Sequence, residues 1–217
     1  MPYVTKALFA TTALLLAIHA HAAPDDVRDA RAKAAFDQVA GGRLYHLRSS
    51  TFGDLDGDGI PDFATFAGDP LYNENGIEDL QVLVFKGRAD GGFDLLARSG
   101  AILGNGRVSH AVTIARGSLF LHRDGSDGCC GHWVEEFQFK QRDGQLMLIG
   151  VESSDVHPDG IHQDDEGSSV NLATGQSEHW LGSGKHVRRQ RRKVPGLKPI
   201  PLAGFDYEKF TSAWPGL

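Results

Sequence analysis

Trp133-Val134-Glu135-Glu136-Phe137-Gln138-Phe139-Lys140-Gln141, then Arg142-Asp143-Gly144, then Gln145-Leu146-Met147-Leu148-Ile149-Gly150-Val151 decides the fold class. Two apolar-rich runs flank a tight Asp-Gly turn, which is the signal for an antiparallel hairpin. The pattern repeats in both directions along the chain. Residues 168–173 and 177–181 flank Thr174-Gly175 as a second hairpin. Residues 108–115 and 118–122 read as strands, and so do 44–52, 63–66 and 93–96. Residues 80–85 form a continuous apolar run, expected of a buried central strand. Residues 185–194 are expected to form the last strand, and 205–210 a short closing helix. Frequent short strands with Gly turns predict a mainly β protein. The expected arrangement is one or more antiparallel meander sheets, as an open propeller-blade-like fold or a sandwich.

One helix precedes the strands. Asp25 and Asp26 place negative charge at its N-terminus, where the helix dipole favours it. Val27, Ala32, Ala35, Phe36 and Val39 form an apolar stripe at helical spacing, expected to pack on a sheet. Gly41-Gly42 stops the helix. The predicted organisation is a signal peptide over 1–22, the helix over 23–42 and a single β-rich domain over 43–217.

The leader is read from Lys6, an apolar run over 7–18 and the small-x-small sequence Ala20-His21-Ala22. Export with cleavage after Ala22 is expected, to a periplasmic or secreted location. The run is too short for a bilayer span of ~20 residues, and no transmembrane segment is expected in the mature chain. The whole chain of 217 residues carries a formal net charge of −6, which argues against general nucleic-acid binding.

The run with the most chemistry in it is Gly53-Asp54-Leu55-Asp56-Gly57-Asp58-Gly59-Ile60-Pro61-Asp62-Phe63. Two like charges about 4 Å apart repel by roughly 4 kcal/mol at an effective dielectric near 20. A loop that gathers four carboxylates therefore needs a cation, or must protonate some of them. Hard oxygen ligands at alternating positions, with Gly where the chain turns, suit calcium. The expected role is structural, pinning the turn so that Phe52 and Phe63 enter the core. Binding would then contribute to the folding free energy.

This run resembles the calcium loop of FG-GAP repeats, the integrin-propeller type. Gln81-Val82-Leu83-Val84-Phe85-Lys86-Gly87 and Asp90-Gly91-Gly92-Phe93 continue the likeness, which covers about one repeat, 52–96. The resemblance implies Asp54, Asp56, Asp58 and Asp62 as ligands, with the backbone carbonyl of Ile60. An EF-hand is rejected: Thr65 stands where that loop has its bidentate Glu, and no helical pattern flanks the run. Only one copy of the loop is found, whereas closed propellers have ~4–8 blades. The remainder of the chain is loosely similar to small bacterial exported proteins of unassigned function.

Three further features carry chemistry. Cys129-Cys130 would close a strained vicinal bridge in an oxidising compartment; free thiols or bonds between chains are the other readings. His157, Asp159, His162 and Asp164 form an acidic histidine segment, a candidate second metal site whose spacing matches no zinc motif. A hydrated loop is the competing reading. Lys185-His186-Val187-Arg188-Arg189-Gln190-Arg191-Arg192-Lys193 is strongly basic. It reads as a charged edge strand that blocks unwanted pairing, or as a contact for anionic envelope polymers or lipid headgroups. No nucleophile elbow, His-Glu-x-x-His pair or phosphate loop is present. The sequence thus points to an exported, non-catalytic β domain stabilised by calcium, a binding or accessory module for an envelope protein or polymer. The alternative is an envelope hydrolase with its site near His157 and His162.

Overall fold

The computed structural model describes residues 25–40, 46–68, 77–105, 108–126, 131–156, 165–182 and 184–213. The signal-peptide segment 1–22, Cys129, Cys130 and the histidine segment 157–164 lie outside the described residues.

Helix α1 spans Asp25–Ala40. The first antiparallel sheet holds β1 (His46–Gly53), β2 (Asp62–Gly68), β3 (Ile77–Gly87), β4 (Phe93–Arg98) and β5 (Ile102–Asn105). Its order is β1-β2-β3-β4, and β5 pairs with β3 beyond the end of β4. The second sheet begins with β6 (Val108–Ala115), β7 (Ser118–Ser126), β8 (His132–Arg142) and β9 (Gln145–Val156). It continues through β10 (Glu166–Asn171), β11 (Gln176–Leu181) and β12 (Arg188–Lys193) in unbroken meander order. A two-residue strand, β13 (Ile200–Pro201), adds to β9, and helix α2 (Tyr207–Ala213) closes the described chain. The fold is mainly β and antiparallel, with the expected helix before the strands.

The packing follows from strand alternation, since successive side chains of a strand point to opposite faces. On β2 and β3, Ala64, Phe66, Val82 and Val84 face the second sheet and meet Leu119, Leu121, Phe137 and Phe139 there. The intervening residues Phe63, Ala67, Leu83 and Phe85 face α1 and meet its Ala32, Ala35, Phe36 and Ala40. Strand β2 is therefore buried along its whole length. The two sheets form a sandwich with α1 laid on the outside of the first. Val27, predicted on the helix stripe, is 38 % exposed. The Arg28 guanidinium sits 4.0 Å over the Phe52 ring and covers it from the first turn of the helix.

On the core side of the second sheet, Leu202, Phe205 and Phe210 fill the space that the shorter first sheet leaves. Phe205 lies 5.4 Å from both Phe137 and Phe139. Tyr207 donates to both carboxylate oxygens of Glu135 at 3.0 Å, and the Arg123 guanidinium lies 3.6 Å over its ring. Burial raises the Tyr207 phenol above its ordinary pKa.

Several boundaries differ from the sequence expectation. Residues 185–186 belong to a 3-10 turn, Gly184–His186, and the basic strand proper is Arg188–Lys193. Strand β9 runs past the expected end at Val151 to Val156, because residues 152–156 pair with β8 and β10. Strands β5 and β13 were not expected. With four and two residues, they are too short to show a period.

Candidate functional site

The aspartate loop joins β1 to β2 at one end of the first sheet. Its carboxylates organise the backbone before any metal is considered. Asp54 accepts from the N–H groups of Gly57 (2.7 Å) and Gly59 (3.0 Å). Asp58 accepts from Ile60 N–H at 2.8 Å, and Asp56 from Asp58 N–H at 3.2 Å. Gly57 and Gly59 both adopt φ of +81°, a conformation that side chains disfavour, and open space surrounds them.

Asp54, Asp56 and Asp58 each place a carboxylate oxygen within 4.8 Å of the others. Calcium–oxygen distances of ~2.3–2.6 Å allow one ion to reach three oxygens so spaced. Asp62 is 2 % exposed and turned inward. One of its oxygens accepts from Leu55 N–H at 2.8 Å and the other from Gly87 N–H at 2.9 Å. Burial raises its pKa, and the two backbone N–H groups act against that rise. Asp62 thus ties the start of the loop to the end of β3. Gly87 is required at that tie, because a Cβ there would fall 2.2 Å from the Pro61 carbonyl oxygen.

A residue from outside the loop completes the cluster. Lys86 of β3 brings its ammonium onto Asp56, and 3.3 Å from Asp58. Its hydrogen bond to Asp56 lowers the Asp56 pKa and raises its own. One internal cation therefore already serves two of the three carboxylates, and any metal ion bound there would share them with it or displace it. In the sequence, Lys86 stands only in the run 81–87 that continues the FG-GAP likeness.

Next to the loop, Arg88 binds Asp90 at 2.6 Å and Asp94 at 3.0 Å. These bonds from Arg88, with the Gly92 N–H, hold the Asp90 carboxyl down at about 2. A lowered folded-state pKa adds stability that is complete above the ordinary aspartate value and is lost as pH falls toward 2. Arg88→Gln is expected to move the Asp90 midpoint upward, which carboxyl-carbon NMR titration reads directly. An unmoved midpoint would remove Arg88 as the cause.

On the open face of the second sheet, three strands align a hydroxyl, an imidazole and a carboxylate. Thr113 Oγ1 lies 2.9 Å from His122 Nε2, and His122 Nδ1 lies 3.2 Å from Glu136. The Thr113 hydroxyl can donate to Nε2 while Nδ1–H donates to Glu136. From sequence, none of Thr113, His122 and Glu136 stands in a candidate site. Only the β6–β7–β8 register brings the three groups together.

The basic strand β12 is the edge of the second sheet, exposed along its whole length. Glu178 of β11 binds both Arg189 and Arg191. Ile60 is half-buried at the end of the loop. His157, Asp159, His162 and Asp164, like Cys129 and Cys130, lie outside the described residues. Among the described residues, no helix is long and apolar enough to cross a membrane. Compared with protein families, curated proteins and solved structures, the chain matches none.

Proposed function

We propose that this chain is an exported, calcium-stabilised β domain that serves the bacterial envelope as a binding or accessory module. The observation that carries the reading is the group of three aspartates within 4.8 Å of one another, on a loop seated by Asp62. Asp54, Asp56 and Asp58 would supply the charged oxygens and the Ile60 carbonyl a backbone ligand; Asp62, the fourth carboxylate ligand that the FG-GAP resemblance implies, instead has both oxygens on Leu55 N–H and Gly87 N–H. The ion would hold the β1–β2 connection against the repulsion of its own carboxylates. Affinity is expected in the range of extracellular modules, ~10⁻⁴–10⁻³ M.

The test is a pair of thermal melts, one in excess calcium and one in excess chelator. A ligand bound only by the native state adds about 2.7 kcal/mol at one hundred times its dissociation constant. Chelation is expected to lower the Tm, and Asp56→Ala to abolish the difference. Lys86→Gln is expected to strengthen calcium binding, because the ion then meets no tethered ammonium. Identical melts, with no heat in a calcium titration, would remove the metal and leave Lys86 as the loop's own counter-ion.

A second reading, an envelope hydrolase, is favoured by the Thr113–His122–Glu136 relay. A hydroxyl, a base and an orienting carboxylate stand there in the order that nucleophilic catalysis uses. Hydrolysis of a p-nitrophenyl ester that His122→Gln abolishes would move the assignment to this class.

A further inference from the structure

The open face of the second sheet carries a groove of about 710 Å³ that the aspartate loop does not touch. Small residues make its floor. Gly150 and Ser169 lie on β9 and β10, between longer side chains on β8 and on β11–β12. Along one transverse row, Glu136, Glu152, Ser169, Glu178 and Arg191 are successive cross-strand partners. The next row runs Gln138, Gly150, Asn171, Gln176 and Lys193. From β8 to β12 is four strand spacings, roughly 19 Å. Farther along β10, Gly167 lets the Trp180 ring lie flat on the sheet, since a Cβ there would fall 2.2 Å from that ring.

Charge is separated across this groove. On the β12 side, Arg191 gives its Nε–H to Glu178 at 2.5 Å and stays 82 % exposed, so its terminal nitrogens face solvent from a fixed position. Arg189 also binds Glu178, which leaves this trio with one net positive charge. Lys193 adds another cation one row away. On the β8–β9 side, Glu136 and Glu152 stand directly opposite each other. Like charges so placed cost stability and accept hydrogen bonds readily.

We propose that the groove binds an anionic polysaccharide, with an acidic substituent on Arg191 and Lys193 and sugar hydroxyls on Glu136, Glu152, Gln138 and Gln176. Both sides of the groove are then matched: the basic wall takes a fixed anion, and the carboxylate and amide side takes hydroxyl donors. A chain with an anion on every unit, such as a nucleic acid, meets Glu136 and Glu152 with like charge. A lipid surface is flat where the site is concave, and the exposed large apolar residues among those described, Val27, Leu95 and Val156, neither lie on β12 nor line the groove. The proposal rests on the binding-module reading and names its ligand.

The experiment is calorimetric titration of the purified protein with hyaluronan oligosaccharides, which carry a carboxylate on every second sugar, and with a phosphorylated mannan; the two separate carboxylate from phosphate as the acidic group. Dextran, a single-stranded oligothymidylate and phosphatidylglycerol vesicles are the comparators. Binding of one or both anionic glycans is expected, weakened by salt, and about tenfold weaker in Arg191→Ala/Lys193→Ala. Lys185→Ala/Arg188→Ala, exposed and basic but outside the groove, is expected to change it less than twofold. Equal losses in the two double variants would reduce the effect to general charge and overturn the proposal. So would equal binding of dextran, or preferred binding of vesicles or oligonucleotide. No glycan binding by a protein whose melt still responds to chelator would sink the groove and leave the calcium reading standing.

Discussion

Asp62→Ala is expected to destabilise the protein by roughly 2–6 kcal/mol, because each orphaned buried donor costs about 1–3 kcal/mol. The two donors are Leu55 N–H and Gly87 N–H, and Asp62, their acceptor, is 2 % exposed. At about 2–4 °C per kcal/mol for a chain of this size, the Tm should fall by roughly 4–24 °C. The measurement belongs in chelator, where any metal contribution is absent. Under the same conditions Asp56→Ala should cost no more than about 1 kcal/mol, since it removes a part-exposed ion pair and an exposed backbone hydrogen bond. Lys86 would lose one of its two carboxylate partners, and the Asp58 N–H its acceptor at 3.2 Å. The contrast would separate the observed seating of the loop by Asp62 from the ion binding proposed for Asp54, Asp56 and Asp58. A loss under 1 kcal/mol for Asp62→Ala would show that the two N–H groups find other acceptors.

Phe66→Ala is the second large effect, expected at about 3–5 kcal/mol for a fully buried aromatic ring. Phe66 has no exposed surface, lies in the core shared by both sheets, and meets the His110 ring edge-on at 5.5 Å. Its removal leaves a cavity between two layers that strand pairing holds apart, so the site collapses poorly. Urea unfolding should show a lower midpoint with an unchanged slope, since the same surface is exposed on unfolding. Val27→Ala, on the exposed side of α1, should change stability by less than about 0.5 kcal/mol. Equal effects at the two positions would mean that the sheets are not held together by this core.

Local pattern explains which parts of the fold were legible. The Asp143-Gly144 turn and its flanking strands stand where the sequence places them, as β8 and β9. The apolar run 80–85 is an interior strand with partners on both sides. Ala32, Ala35 and Phe36 bury the helix face that their spacing marks. The basic run 188–193 is an edge strand, one of its two expected readings. Each of these follows from period, turn chemistry or charge within a few residues. Strands β5 and β13 escaped because a strand that short is defined by its partner and not by its own alternation.

The candidate sites divide in the same way. The sequence by itself determined the aspartate loop, because its carboxylates and glycines are neighbours in the chain and their repulsion is a local fact. It also determined two hairpins of the second sheet, β8–β9 and β10–β11, because Arg142-Asp143-Gly144 and Thr174-Gly175 are written beside the strands they join. Only the tertiary structure decided that Asp62 turns inward, that Lys86 reaches Asp56 from another strand, and that Thr113, His122 and Glu136 align. The groove belongs to this second group, with walls from strands more than thirty residues apart. The physical reason is register: alternation tells which face a side chain takes, but only long-range pairing of strands sets which other side chains stand beside it.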